Sequence, residues 1–310
     1  MILSPSPHLH TRRTVRGTML RVCAALLPAW ATGLWFFGLP VLWLTAVCIL
    51  SCVLTEWAVA VLMLRRRPPV GDFSAVLTGL LLAMNLPPTL PLWMAAAGSV
   101  AAIGIAKMCF GGLGCNIFNP ALVGRVFLLI SFPAAMTSWI MPDGTAGATI
   151  LEELKHGLAS AGDAPLRAMF IGNTGGSAGE VGSAALILGG LYLLASKVIR
   201  WEIPAAILGA VALFDLCLGF PPVVDLLSGG LLLGAIFMAT DYTTSPMTSR
   251  GMLVYGVLIG ILTVCIRRWG AYPEGMSFAI LIMNGFTPLI DTYMRPQRFS
   301  PKAAKGGAES

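Results

Sequence analysis

Long apolar runs following one another along the chain are the feature that most constrains its fold. Ten can be marked, near residues 20–36, 40–64, 74–90, 93–110, 118–136, 182–199, 203–219, 224–240, 251–267 and 276–294. About 20 helical residues cross a bilayer, so these runs read as membrane helices. Pro87, Pro88 and Pro91 interrupt the third and fourth. Only 11% of the residues are charged, against roughly 25% in soluble domains. The expected fold class is an all-α integral membrane protein with about ten transmembrane helices.

The net charge of +6 is no nucleic-acid signal, because the basic residues fall in short clusters between the apolar runs. Those clusters are Arg12 to Arg21, Arg65-Arg66-Arg67, Lys197 with Arg200, Arg250, and the tail with Arg295, Arg298, Lys302 and Lys305. Threading ten helices puts them all on one side, and an excess of arginine and lysine marks the cytoplasm. Arg267 and Arg268 fall on the other side and are the one dissent; surface solvation is the role expected of them, with holding a phosphate or a partner as the alternative. Both termini are then cytoplasmic, and the loop of about 45 residues from Trp139 to Gly182 is extracytoplasmic. Trp139, Trp201 and Trp269 stand at helix ends, where interfacial anchors belong. The first basic cluster resembles a signal peptide, but no small-residue cleavage site follows, so it reads as the start of a retained helix. The seven cysteines lie mostly in or beside apolar runs and read as small buried residues rather than a disulfide framework. Cys109 and Cys115 flank a glycine-rich break.

The long loop divides the chain into an N-terminal five-helix half (1–136), the loop itself (137–181), a C-terminal five-helix half (182–294) and a cytoplasmic tail (295–310). Two segments echo between the halves. Residues 79–89 resemble 234–244, and 116–122 resemble 282–289, each interrupted by proline, glycine or asparagine. An odd helix count inverts the second half relative to the first. That is the architecture of two inverted five-helix repeats, whose broken helices build a polar site near the midplane.

Lys107, Arg125 and Asp241 are the charges expected at or inside the membrane boundary, where charge is costly and usually functional or paired. Asn85, Asn116, Asn119 and Asn284 stand at the proline-broken ends. They either cap those helices or bind a ligand. Asp241 either stops a helix or touches a cofactor. No nucleophile–histidine–aspartate set, phosphate loop or metal cluster is present, so any chemistry belongs to a carried cofactor or to transport. In the long loop, Asp143-Gly144-Thr145-Ala146-Gly147-Ala148-Thr149 is a poor helix former. It reads as an exposed turn with one hydroxyl clear of its neighbours, which suits either modification by another enzyme or an ordinary loop.

Several stretches in order resemble one family: Ser6-Pro7-His8, Asn116-Ile117-Phe118-Asn119-Pro120-Ala121-Leu122-Val123-Gly124, Gly147-Ala148-Thr149, Gly172-Asn173-Thr174-Gly175-Gly176-Ser177-Ala178-Gly179-Glu180, Phe237-Met238-Ala239-Thr240-Asp241 and Thr244-Ser245-Pro246. The chain resembles the D subunit of the Rnf electron-transport complex and, more distantly, the B subunit of the sodium-pumping NADH:quinone oxidoreductase. The resemblance implies FMN esterified through its phosphate to Thr149 by a flavin transferase, with Asp143, Gly147 and Ala148 as recognition context. Ala146 departs from the pattern, which usually has serine or threonine there. A second, non-covalent flavin, riboflavin or FMN, is implied at Asn116 and Asn119.

The expected function is thus a flavin-carrying membrane subunit of an ion-translocating ferredoxin:NAD oxidoreductase in a bacterial inner membrane, relaying electrons coupled to Na+ or H+ transport. Its implied partners are the A and E membrane subunits, the FMN-bearing G subunit, the iron–sulfur B and C subunits, the transferase and membrane lipid. The alternative is a small-solute channel or transporter, which an inverted repeat would serve equally well.

Overall fold

The computed structural model describes residues 14–66, 70–145, 147–155, 165–270, 272 and 274–294. Arg12, Arg13, Arg67, Ala146, the three histidines (His8, His10 and His156) and the basic tail lie outside the described residues.

The regular elements of the described chain are all helices. Thr14 opens α1 (Val15–Phe37) by accepting the Gly17 N–H at 3.1 Å. Gly38, with φ +71°, turns directly into α2 (Leu39–Ala58), which runs on through a π turn at Val59–Met63. α3 (Ser74–Met84) stops well short of the expected residue 90. Pro87 and Pro88 carry no N–H and clash with a preceding turn, so a helix cannot continue through them. α4 (Leu92–Gly104) likewise ends early, ahead of Gly111, Gly112 and Gly114, all at positive φ. α5 (Pro120–Ser131) begins where Asn119 accepts from Ala121 N and Pro120 takes the first helical position. Pro133 separates it from the short α6 (Pro133–Met136).

The long loop contains two short helices that hydropathy does not reveal, α7 (Ile150–Lys155) and α8 (Leu166–Ile171). α9 (Ser183–Ala195) and α10 (Glu202–Leu218) follow. The expected helix 224–240 is broken into α11 (Pro222–Leu227) and α12 (Leu231–Leu233), the latter running into a π turn at Gly234–Met238. Gly229 and Gly230 make the break with φ of +63° and +66°, a conformation that other residues rarely adopt. α13 (Ser249–Trp269) and α14 (Met276–Tyr293) complete the fold. Pro288 lies inside α14 without ending it, so the segment echoing Asn119-Pro120 is not a helix break in the second half.

α2 packs on α3 and α4, and α4 on α5; α10 packs on α13, and α13 on α14. α1 meets α9, and α5 meets α14. Close approach rests on small residues. A Cβ on Gly256 would stand 2.7 Å from that of Ala206, and one on Gly260 2.7 Å from that of Ala210, the small-xxx-small seam by which helices associate in lipid. Large apolar side chains such as Trp35, Trp43, Leu50, Leu62, Leu188 and Leu213 point outward, as they do where the solvent is hydrocarbon. Among the described residues four helical stretches, Val15–Phe37, Leu39–Met63, Leu92–Phe110 and Ser249–Trp269, are long and apolar enough to cross a membrane. The build is that of a multi-pass membrane protein.

Candidate functional site

The threonine motif forms a tight turn. Met141 N donates to Thr145 O at 2.9 Å and Gly147 N to Trp139 O at 3.3 Å, with Gly144 at φ +79° in the bend. Asp143, Gly144 and Thr145 are exposed at its tip. Gly147 sits against Met141, where a side chain would crowd it, and Ala148 is half-buried. Trp139 is buried under this turn rather than anchored at an interface, whereas Trp201 and Trp269 are exposed.

Thr149 departs from expectation. Only 8% of it is exposed, and its Oγ1 accepts the Glu152 N–H at 3.3 Å. The hydroxyl is recruited to start α7, and buried Leu151 draws that helix against Gly229. The Thr149-x-x-Glu152 spacing is a capping-box signature, a signal present in the sequence that outweighs the expectation of an open turn.

α7 lies beside a cavity of about 330 Å3 whose far wall carries Arg267 and Arg268. Neither arginine is a solvated surface charge. Arg267, 3% exposed, donates to the carbonyls of Asp225 (2.6 Å), Ser228 (2.9 Å) and Gly229 (3.3 Å). Arg268 reaches Asp225 Oδ2 at 2.5 Å and Asp215 Oδ1 at 3.5 Å. Asp215 and Asp225 hold the pair, which still dissents from the orientation that the other basic clusters favour, because arginines count in that rule whatever their carboxylate partners.

Arg125 on α5 ties four segments together. It donates to Asn85 Oδ1 at 2.9 Å, lies 3.5 Å from Glu180 and pairs with Glu274. Lys107 is buried in turn, 2.5 Å from Glu56 Oε1 and 2.6 Å from Ser74 Oγ, which itself donates to Asp72 at 2.7 Å. Hydropathy singles out Lys107 and Arg125 but none of their carboxylates. Glu56 and Asp215 stand inside apolar runs, and a carboxylate there is a signal of its own.

Asn116, Asn119, Lys107 and Asp241 do come together, around a second cavity of about 70 Å3 closed by Met19 and Phe237. Thr149 does not line it. Asn119 acts as a cap: Oδ1 accepts from Ala121 N at 3.1 Å, and Nδ2 donates across the seam to Met238 O at 3.2 Å. Asn284 donates to Ile280 O and to Tyr255 Oη and accepts from Asn119 N at 3.1 Å. Asp241 accepts from Thr243 at 2.9 Å and from Thr244 at 3.4 Å, which holds the chain at the end of the π turn. These amides therefore serve the broken backbone. The cavity is well under the roughly 300 Å3 at which small-molecule sites begin, so this conformation does not fit a flavin at Asn116 and Asn119. Of the cysteines, Cys48 and Cys52 are buried as expected, while Cys109, Cys115 and Cys217 are exposed.

The chain matches the family described as NQR2, RnfD, RnfE over residues 2–300. It is 44% identical to the D subunit of the Na+-translocating ferredoxin:NAD+ oxidoreductase complex of Acetobacterium woodii, covering 100% of this chain and 98% of that one. It is 42% identical to the D subunit of the proton-translocating ferredoxin:NAD+ oxidoreductase complex of Clostridium ljungdahlii, covering 97% and 96%. It is also 42% identical to the D subunit of the ion-translocating oxidoreductase complex of Stutzerimonas stutzeri, covering 94% of each. Extended over nearly the whole length of each protein, this similarity places the chain in the NQR2, RnfD, RnfE family.

Proposed function

We propose that this protein is the D subunit of an ion-translocating ferredoxin:NAD+ oxidoreductase complex and carries FMN ester-linked through its phosphate to Thr149. The observation that carries the reading is the near-full-length similarity to D subunits of such complexes, with a threonine hydroxyl held at the start of α7 in the loop between the halves. When bound, the flavin takes up one or two electrons and so joins one-electron to two-electron partners. The chain's own residues do the positioning: the Asp143–Thr145 tip is open to an attaching enzyme, and α7 fixes the attachment point against Gly229 through Leu151 and against the end of α13 through Lys155, which donates to Gly270 O.

The recurring helix pairings support two inverted five-helix halves, 1–136 and 182–294, joined by the loop 137–181. α2 on α4 and α4 on α5 correspond to α10 on α13 and α13 on α14, while α1 with α9 and α5 with α14 bridge the seam. In this reading the termini are cytoplasmic, the loop is extracytoplasmic, and the A, B, C, E and G subunits surround the chain. Family membership favours electron transport over a solute channel.

Ultraviolet illumination of an unstained denaturing gel tests the attachment, using protein co-expressed with a flavin transferase. A fluorescent band at 32.7 kDa that disappears in Thr149→Val supports the reading. A dark band, with the transferase active on a control substrate, overturns it.

A further inference from the structure

The cavity beside α7 has the size and the wall chemistry of a binding site. Its volume, about 330 Å3, falls within the roughly 300–1,000 Å3 of small-molecule pockets. Leu151 and Leu154 of α7 face Leu218 and Phe220 across it. Arg268 lies 3.8 Å over the centre of the Phe220 ring. The Nε–H groups of Arg267 and Arg268 are buried without acceptors, although the rest of each guanidinium is held by carbonyls or carboxylates. Both arginines line the cavity and are held in place there by Asp215 and Asp225. The neighbouring cavity on the Glu152 side of α7 is only about 20 Å3 and holds little more than a water molecule.

An isoalloxazine matches these walls. It is flat and largely apolar, with one pyrimidine edge made of carbonyl and ring-nitrogen acceptors. We infer that the isoalloxazine of the flavin tethered at Thr149 lies in this cavity between α7 and Phe220, its pyrimidine edge toward Arg267 and Arg268. The inference rests on the attachment reading above. Reach is no obstacle, because Thr149 to Leu154 is about 7.5 Å along the axis of α7, within the length of a five-carbon ribityl arm. The arginines, pinned by Asp215 and Asp225, keep their positions whether or not the ring is present. The two arginines act as positioning residues that set the ring's orientation.

The test uses full-length protein co-expressed with flavin transferase and kept folded in detergent. Flavin emission is quenched with acrylamide, which is neutral and so is not drawn to the arginines. The ring in the unsubstituted protein should be shielded. Leu154→Phe with Leu218→Phe fills the cavity and should raise the quenching constant several-fold, while the fluorescent gel band stays at unsubstituted intensity. Phe220→Ala, which empties rather than fills the cavity, should raise it as well. A bright gel band with the same quenching constant in all three proteins overturns the cavity assignment and leaves attachment at Thr149 standing. A dark gel band for the unsubstituted protein overturns both.

Discussion

Lys107 Nζ stands 2.5 Å from Glu56 Oε1 with neither residue open to solvent, and the pair joins α2 to the segment after α4. Truncating one partner of such a pair strands the other charge in a low-dielectric interior. Glu56→Gln or Lys107→Met alone should each destabilise by about 3–5 kcal/mol. The double substitution should recover a large part of that, because no charge is then left buried. Thermal unfolding of the four proteins in detergent closes the cycle. Losses in the double variant equal to the sum of the singles would show that the two charges do not depend on each other.

Arg125 sets up an asymmetry that can be measured. One guanidinium faces Glu180 and Glu274, and Glu180 Oε1 is buried without a hydrogen bond. Removing a carboxylate relieves surplus negative charge, whereas removing the guanidinium leaves two carboxylates and Asn85 Oδ1 without a donor. Glu180→Gln should therefore be the milder change, destabilising by about 0.5–3 kcal/mol, the usual range for a point substitution. Arg125→Gln should be severe, and Arg125→Lys nearly so, since an ammonium cannot reproduce the forked geometry. Yield of folded protein and unfolding temperature are the readouts. A Glu180→Gln variant as damaged as Arg125→Gln would contradict this charge balance.

The positions of the helices were legible because hydropathy is set residue by residue. The segments placed at 20–36 and 251–267 fall within α1 and α13. What failed were the breaks. Pro87-Pro88 ended α3 where the apolar run continued, and Gly229-Gly230 split a run that looks continuous, because backbone strain and hydrophobicity are independent properties. Pro288 shows the converse, for α14 runs through it. Read as isolated side chains, Thr149 belongs to an open turn and Arg267 to a solvated surface. Each is buried by a partner far along the chain, Gly229 for α7 and Asp225 for Arg267, and no local pattern announces such pairings.

The α10–α13 seam offers a sharper comparison. Gly256 and Gly260 have no room for a side chain, while nothing lies within 4 Å of a Cβ built on Gly209 of α10. Gly260→Val should push α13 off Ile207 and Ala210 and lower the unfolding temperature markedly. Gly209→Ala should be neutral or stabilise by up to about 1 kcal/mol, the helix-propensity difference between the two residues. Equal behaviour of the two variants in a detergent melt would mean that the seam does not depend on close approach.

Attachment of a flavin to Thr149 requires the hydroxyl to be reached, yet it is buried and engaged by Glu152. α7 must therefore lift before or during the reaction, and what holds it down is mainly Leu151 in its seat beside Gly229. Local openings of this kind draw on the low-stability end of a fold. Leu151→Ala weakens the seat by up to about 2–5 kcal/mol, the range for emptying a buried leucine site, while leaving Thr149 and its cap intact. The rate at which the 32.7 kDa band becomes fluorescent on adding transferase and flavin donor to purified protein should rise several-fold, with the final intensity unchanged. Thr149→Ser keeps both hydroxyl and cap and should still be labelled. A Leu151→Ala rate equal to that of the unsubstituted protein would mean that undocking of α7 does not limit the reaction.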